Sequence, residues 1–223
     1  MYWQDDTHEE DIEVPQDVVD LLFSMRCKSL PVDHGQNLAQ AISQCLPWIT
    51  SEPQAAIHQI HVAESSHGWQ RPEADLLLPS RRTKLVLRMP SHRLDDCRAL
   101  INQTLEIDGH ALKVEASKSR PLSKLTTIFA RYIETAANEA DDEFIRRMQS
   151  LLKKQKIVAK KMLSGRIVNH VTPQGPLITR KLMLSGLSIE DSLYLQQWGL
   201  SDKMLMGIGI FLPHKGIDAV NAG

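Results

Sequence analysis

The order of apolar runs along the chain narrows its folds more than any single motif does. Residues 18–28 (VVDLLFSMRCK) are β-branched and apolar and read as a strand. The Leu30-Pro31-Val32-Asp33 turn leads straight into a helical stretch, residues 35–46. There Leu38, Ala41, Ile42, Cys45 and Leu46 recur at the three-to-four spacing of one buried face. Asp33 is a natural N-cap for that helix and Pro47 a natural stop. Residues 56–63 and 83–89 read as two more strands, separated by a long connection at 65–79 that carries Gly68, Pro72 and Pro79. Ser91 is placed to cap a short helix with Leu94, Cys97 and Ile101 facing inward. Residues 105–107, the Asp108-Gly109 turn and residues 111–116 then form a hairpin. The sequence of elements is β-α-β-β-α-β, the ferredoxin-like arrangement.

The second half repeats that order without repeating residues. Residues 125–133 are strand-like, although charge interrupts the pattern, and residues 142–154 form an amphipathic helix on Phe144, Ile145, Met148, Leu151 and Leu152. Residues 165–171 and 177–185 read as strands around a Pro173-Gln174-Gly175-Pro176 turn. Ser188-Ile189-Glu190-Asp191 resembles a capping box opening a helix to about Gln197, and residues 208–212 make a last strand ended by Pro213. The expected fold class is α+β, two tandem ferredoxin-like (βαββαβ) domains with antiparallel sheets. The expected organisation is an acidic leader at 1–17, domains at 18–117 and 122–213 with a boundary at 117–121, and a tail at 214–223.

Charge is unevenly placed. The first twenty residues hold eight of the 27 Asp and Glu and no Lys or Arg, so the rest of the chain sets 26 basic residues against 19 acidic ones. Residues 144–181 contain ten Lys or Arg and no Asp or Glu. Density of this kind is the footprint of a polyanion partner; the plainer reading is a solvated helix face. Arg146, Lys153, Lys154, Lys160 and Lys161 are its candidate phosphate contacts, together with Arg81, Arg82 and Lys84 at the start of the third strand. Eleven aromatic residues are too few for a platform of stacked bases, so backbone and shape contacts would dominate any nucleic-acid binding. The acidic N-terminus lacks the apolar region of a signal peptide, and no apolar run nears the ~20 residues of a membrane span. Three cysteines, an odd number, suit buried thiols in a reducing cytoplasm, where the chain is expected.

Two features carry chemistry. Gly199-Leu-Ser-Asp-Lys203-Met-Leu-Met-Gly207-Ile-Gly209 combines glycines, whose amides can approach a phosphate closely, with one cation. The plainer reading is helix termination at Gly199 and a bulged strand at Gly207 and Gly209. His34 stands at the first turn of the first helix, where an imidazole can take or give a proton near neutral pH, or can simply fix the turn. His58 and His61, three apart on a strand, face opposite ways and make a poor chelate; with His67 the nearest third ligand, no metal site is expected.

Taken together, Leu30-Pro31-Val32-Asp33-His34-Gly35, Leu46-Pro47-Trp48, Ile57-His58-Gln59-Ile60, the strand at 84–90, Ser185-Gly186-Leu187-Ser188 and Met206-Gly207-Ile208-Gly209-Ile210-Phe211-Leu212-Pro213 are similar to a known family. The chain resembles the CRISPR-associated repeat-processing endoribonucleases of the RAMP superfamily, particularly the Myxan-subtype branch. The resemblance implies metal-independent, cofactor-free cleavage of CRISPR repeat RNA, often at the foot of a hairpin, with the processed crRNA retained. It implies His34 as general base and an RNA-binding glycine-rich loop at Gly199, Lys203, Gly207 and Gly209. Other CRISPR effector subunits are the implied protein partners, and no membrane is involved. Two further readings remain at this point: a non-cleaving crRNA-binding subunit, and a ferredoxin-like protein-interaction module.

Overall fold

A computed structural model describes residues 13–62 and 75–214. The acidic leader up to residue 12, His67 with most of its connecting loop, and the tail from residue 215 therefore lie outside the described residues.

The strands and helices are β1 (Val18–Cys27), β2 (Leu30–Pro31), α1 (Gly35–Cys45), β3 (Ala56–Ile57), β4 (Leu76–Leu77), β5 (Lys84–Pro90), β6 (Thr104–Ile107), β7 (His110–Pro121), β8 (Ile128–Glu134), α2 (Asp141–Lys154), β9 (Lys161–Thr172), β10 (Gly175–Ser185), α3 (Ile189–Trp198) and β11 (Phe211–Pro213). Two antiparallel sheets carry the fold, ordered β3-β5-β1-β7-β6 and β11-β8-β10-β9, and β2 pairs with β4 separately. Each main sheet has the ferredoxin-like strand order, the first extended at its edge by β6. The α+β expectation with tandem ferredoxin-like folds is borne out.

Alternation along β1 shows why the first sheet has two different faces. Leu21, Phe23 and Met25 enter one core with Leu85, Leu87 and Met89 of β5, Leu112 and Val114 of β7, and Leu38, Ala41 and Ile42 of α1. The second core joins Ile128 and Ala130 of β8 and Leu182 and Leu184 of β10 to Phe144, Met148 and Leu152 of α2 and Leu195 of α3. Asp20 lies on the opposite face of β1 from that first core and is buried. Arg88 of β5, 1% exposed, donates to both Asp20 carboxylate oxygens (2.8 and 3.3 Å) and to the carbonyls of Gln196 and Phe211 (2.7 and 2.8 Å). One guanidinium thus ties the first sheet to α3 and β11. Arg120 adds a second contact to Asp20 at 2.9 Å. Burial alone would raise the Asp20 pKa, but Arg88, with His58, holds the carboxyl well below the usual range.

Several local expectations change. At the boundary expected over 117–121, β7 continues to Pro121, pairing Phe23 with Ser117 and Val19 with Pro121. The strand expected over 56–63 is only Ala56–Ile57, followed by one amide bond from His58 to Val86 before the backbone leaves the ladder. The short helix expected after Ser91 is two 3₁₀ turns, Ser91–Arg93 and Asp96–Leu100, with Cys97 and Leu100 buried. His34, not Asp33, occupies the N-cap of α1, and no side chain caps that end. Ser188 does cap α3, accepting from the Asp191 amide at 3.0 Å.

Candidate functional site

The strand–turn–helix connection that opens the fold places His34 at a junction of three segments. Its Nδ1 lies 2.8 Å from the Pro31 carbonyl and its Nε2 accepts the Ile60 amide at 2.9 Å. A carbonyl can only accept and an amide only donate, so the ring is neutral, with the proton on Nδ1. At 1% exposure it presents no lone pair to a substrate. The resemblance implies a general base at His34; in this arrangement the ring fixes the turn and pins the segment that carries His61.

The glycine-rich loop packs against the same place. Gly199 ends α3 at φ +60°, and a Cβ there would stand 2.5 Å from Met204 Sδ and 2.7 Å from the Gly209 carbonyl. Gly207 (φ +83°) lies against Gln59, and Gly209 (φ +77°) against Ser201. The three glycine amides are engaged within the protein, donating to Leu195, Met204 and Tyr132 carbonyls at 3.0, 3.0 and 2.7 Å. They are not an empty cradle for phosphate; their freedom is used for close packing. Gln59 Nε2 donates to the Met206 carbonyl at 2.9 Å, which fastens the loop to the segment after β3. Lys203, expected as the loop's cation, is held 2.6 Å from Glu134 Oε1. Gly209→Ala forces a left-handed backbone and a Ser201 clash, so we expect it to lower stability by about 1–3 kcal/mol, read from urea unfolding.

The other expected contacts scatter. Arg81 and Arg82 are exposed in the turn before β5, Arg81 on the rim of a cleft of about 510 Å³ that also includes Arg26, Lys28 and His110. Lys84 donates to Ser24 Oγ at 2.9 Å. Lys153 and Lys154 are exposed at the end of α2, Lys160 lies over Gly186, and Lys161 is exposed opposite Ser185. The acid-free stretch at 144–181 is not a surface of one sign, because acids just before it fold back. Arg146 pairs with Asp142 at 2.5 Å, Arg147 with Glu139 at 2.7 Å, and buried Arg180 with Asp141. Arg147 holds the Glu139 carboxyl down at about 2.

The structure gathers a different set. In the register between β10 and β8, Arg180 faces Ile133 and Leu182 faces Ala130, so Lys181 stands opposite both Arg131 and Tyr132. Between β10 and β9, Arg180 faces Ile167 and Leu182 faces Ser164, so Lys181 also stands opposite Gly165 and Arg166. Both neighbouring strands bulge at one point, and three cations converge there. Gly165 makes room: a Cβ would lie 2.8 Å from Lys181 Cβ. Burial, then Arg131 and Arg166, lowers the Lys181 pKa, as expected where cations are packed together. Beside them the His61 ring lies on Tyr132 with centroids 5.8 Å apart, and Tyr132 meets His170 edge-on at 4.7 Å. His170 Nε2 is 3.0 Å from Thr179 Oγ1, and its Nδ1 is 3.5 Å from Asp33. A narrow crevice between Asp33, Gly35, Gln59, His170 and Met206 adjoins this group. Among the described residues no three His, Cys, Asp or Glu side chains are grouped as a metal site would require. No described helix is long and apolar enough to cross a membrane.

Two ferredoxin-like folds meet where the glycine-rich loop between α3 and β11 packs on Gln59, with imidazoles and cations beside it. The Cas6 CRISPR family model matches residues 19–216, so the chain belongs to the Cas6 family. The CRISPR-associated endonuclease Cas6 of Myxococcus xanthus (strain DK1622) is 27% identical over 195 residues, covering 87% of this chain and 81% of that protein. A solved CRISPR associated protein Cas6 superposes with a TM-score of 0.61 at 10% identity, covering 89% of this chain and all of the other. A RAMP protein binding different RNA substrates gives 0.60 at 13% identity, over 88% of this chain and all of that one. At such identities the two structures speak for the fold alone.

Proposed function

We propose that this chain is an endoribonuclease that cleaves CRISPR repeat RNA without a metal ion and keeps the processed crRNA. The 2′-hydroxyl of the RNA attacks the adjacent phosphate, leaving a 2′,3′-cyclic phosphate and a free 5′-hydroxyl. RNA brings its own nucleophile, so the protein has to align the strand, move a proton and stabilise the phosphorane charge. The observation that carries the reading is the convergence of Arg131, Lys181 and Arg166 at the double bulge, next to His61 and the start of α1. Membership in the Cas6 family and the endonuclease name of the Myxococcus xanthus relative support it. His34 serves here as a positioning residue whose bond to the Ile60 amide sets the segment beside the cations.

A second reading, a crRNA-binding subunit that does not cut, is favoured by one observation: both nitrogens of His34 are already engaged. Labelled cognate repeat RNA incubated with the protein in EDTA separates the two. The proposal expects one discrete cut with the product still bound. Retarded but intact RNA under those conditions, with cutting on added Mg²⁺ or none at all, contradicts it.

A further inference from the structure

Resting on the RNA-binding part of that reading, we propose that the cleft at the far edge of the first sheet is a second RNA site, which holds a single-stranded stretch of the repeat away from the cut. The cleft, of about 510 Å³, is bounded by the end of β1, the Pro79-Ser80-Arg81 turn before β5 and the turn between β6 and β7. Pockets of about 300–1,000 Å³ take drug-sized ligands, so a nucleotide unit of one strand fits and a duplex does not.

Its place separates it from the cations of the double bulge. The segment that carries His61 leaves the first sheet from β3, at one edge, whereas the β6–β7 turn lies at the other. Three strand spacings of about 4.8 Å each separate β3 from β7. The bulge itself belongs to the second sheet. One strand of RNA reaches both places only through intervening nucleotides.

Three exposed cations, Arg26, Lys28 and Arg81, line the cleft. Arg26 is held by Glu115 at 2.6 Å. Among the described residues neither Lys28 nor Arg81 has an ion-pair partner or a side-chain hydrogen bond. Cations left unpaired on a concave wall attract a polyanion without first breaking an internal pair. Met25, Pro79 and Ala111 supply apolar wall, against which a ribose and base can lie while phosphate oxygens reach the cations. No Phe, Tyr or Trp lines the cleft, so its grip falls on the RNA backbone and tolerates different sequences.

The cleft is built before a ligand arrives. Ser29 ties its walls together: Ser29 Oγ lies 2.9 Å from His110 Nδ1 on β7, and the Ser29 carbonyl accepts from Cys27 Sγ at 2.9 Å. Asp108 and Gly109 both take positive φ (51° and 77°), the two-residue turn that sets β6 against β7 beside the cleft. A Cβ on Gly109 would meet no described atom within 4 Å, so the turn leaves the mouth open. Walls fixed in advance lower the ordering cost of binding.

Retention of labelled repeat RNA across a salt series, by Lys28→Ala combined with Arg81→Ala, tests the site, with thermal unfolding as the check on folding. The slope of log K against log salt should become shallower by about 1.4, 0.7 for each of two phosphates, while single-turnover cleavage at saturating protein stays within about threefold. Arg98→Ala removes an exposed arginine already paired with Asp95 and should leave the slope unchanged. Arg81→Glu, a single change in an exposed turn, supplies a second arm and should weaken binding more than Arg81→Ala. Shortening the repeat stepwise from each end locates the contact: on RNA that no longer reaches the cleft, the double variant and the unaltered protein should bind alike. Equal slopes on the full repeat overturn the proposal, and so does a deficit that persists undiminished on every shortened RNA. Unaltered protein that retains no repeat RNA contradicts the cleft and the RNA reading together, whereas protein that retains it and never cuts contradicts cleavage alone.

Discussion

Arg88→Ala is expected to lower the stability of the folded chain by about 3–5 kcal/mol, the cost typical of removing one partner from a buried ion pair. The guanidinium is buried and makes four hydrogen bonds: two to the Asp20 carboxylate and one each to the carbonyls of Gln196 and Phe211. Truncation leaves two buried carbonyls without this donor and a buried carboxylate facing, among the described residues, Arg120 and His58. The urea midpoint should fall, and α3 and β11 should lose hydrogen-exchange protection most, since Arg88 is what reaches them from the first sheet. The same guanidinium–carboxylate pair sets an acid limit. Because the folded Asp20 pKa is depressed, its contribution is present above the ordinary carboxylate range and is lost as pH falls through the folded value. Arg88→Ala should therefore show a shallower loss of stability below about pH 4 than the unaltered protein. An unchanged midpoint would mean that the guanidinium is not the tie between the halves.

Lys181→Ala combined with Arg166→Ala is expected to weaken repeat-RNA binding and flatten its salt dependence. For single-stranded RNA, every phosphate that the protein no longer neutralises makes the slope of log K against log salt shallower by about 0.7. These two cations share a bulge with Arg131, and their crowding is unfavourable until an anion sits among them. Arg147→Ala is the comparison, because that side chain is already held by Glu139. It should leave the slope unchanged. Equal slopes for the double variant and the unaltered protein would remove the bulge from the RNA path.

Much of the framework was legible in the sequence. The β1–α1 unit follows from β-branched residues, a proline turn and a regular apolar stripe, and the hairpin of β6 and β7 from its Asp-Gly turn. Residues 56–63 misled because apolar alternation describes a strand but not where its partner ends; the ladder stops at His58. Both the glycine loop and His34 were recognised as special, yet the sequence does not show whether an amide or a ring nitrogen is already engaged. Arg131, Arg166 and Lys181 were missed as a group because they come from three strands, brought together only by register. Two signals pointed there. The charge interrupting the strand-like residues 125–133 includes Arg131, and Gly165, read as the start of a strand, lies inside β9, where a glycine allows a close approach.

The most direct test of metal-independent cleavage is the chemistry of the cut ends. Cognate repeat RNA treated with the protein in excess EDTA should give an upstream fragment whose mass corresponds to a 2′,3′-cyclic phosphate and a downstream fragment that a kinase labels at its 5′ end without prior dephosphorylation. An upstream 3′-hydroxyl with a downstream 5′-phosphate, formed only with added divalent metal, would contradict it.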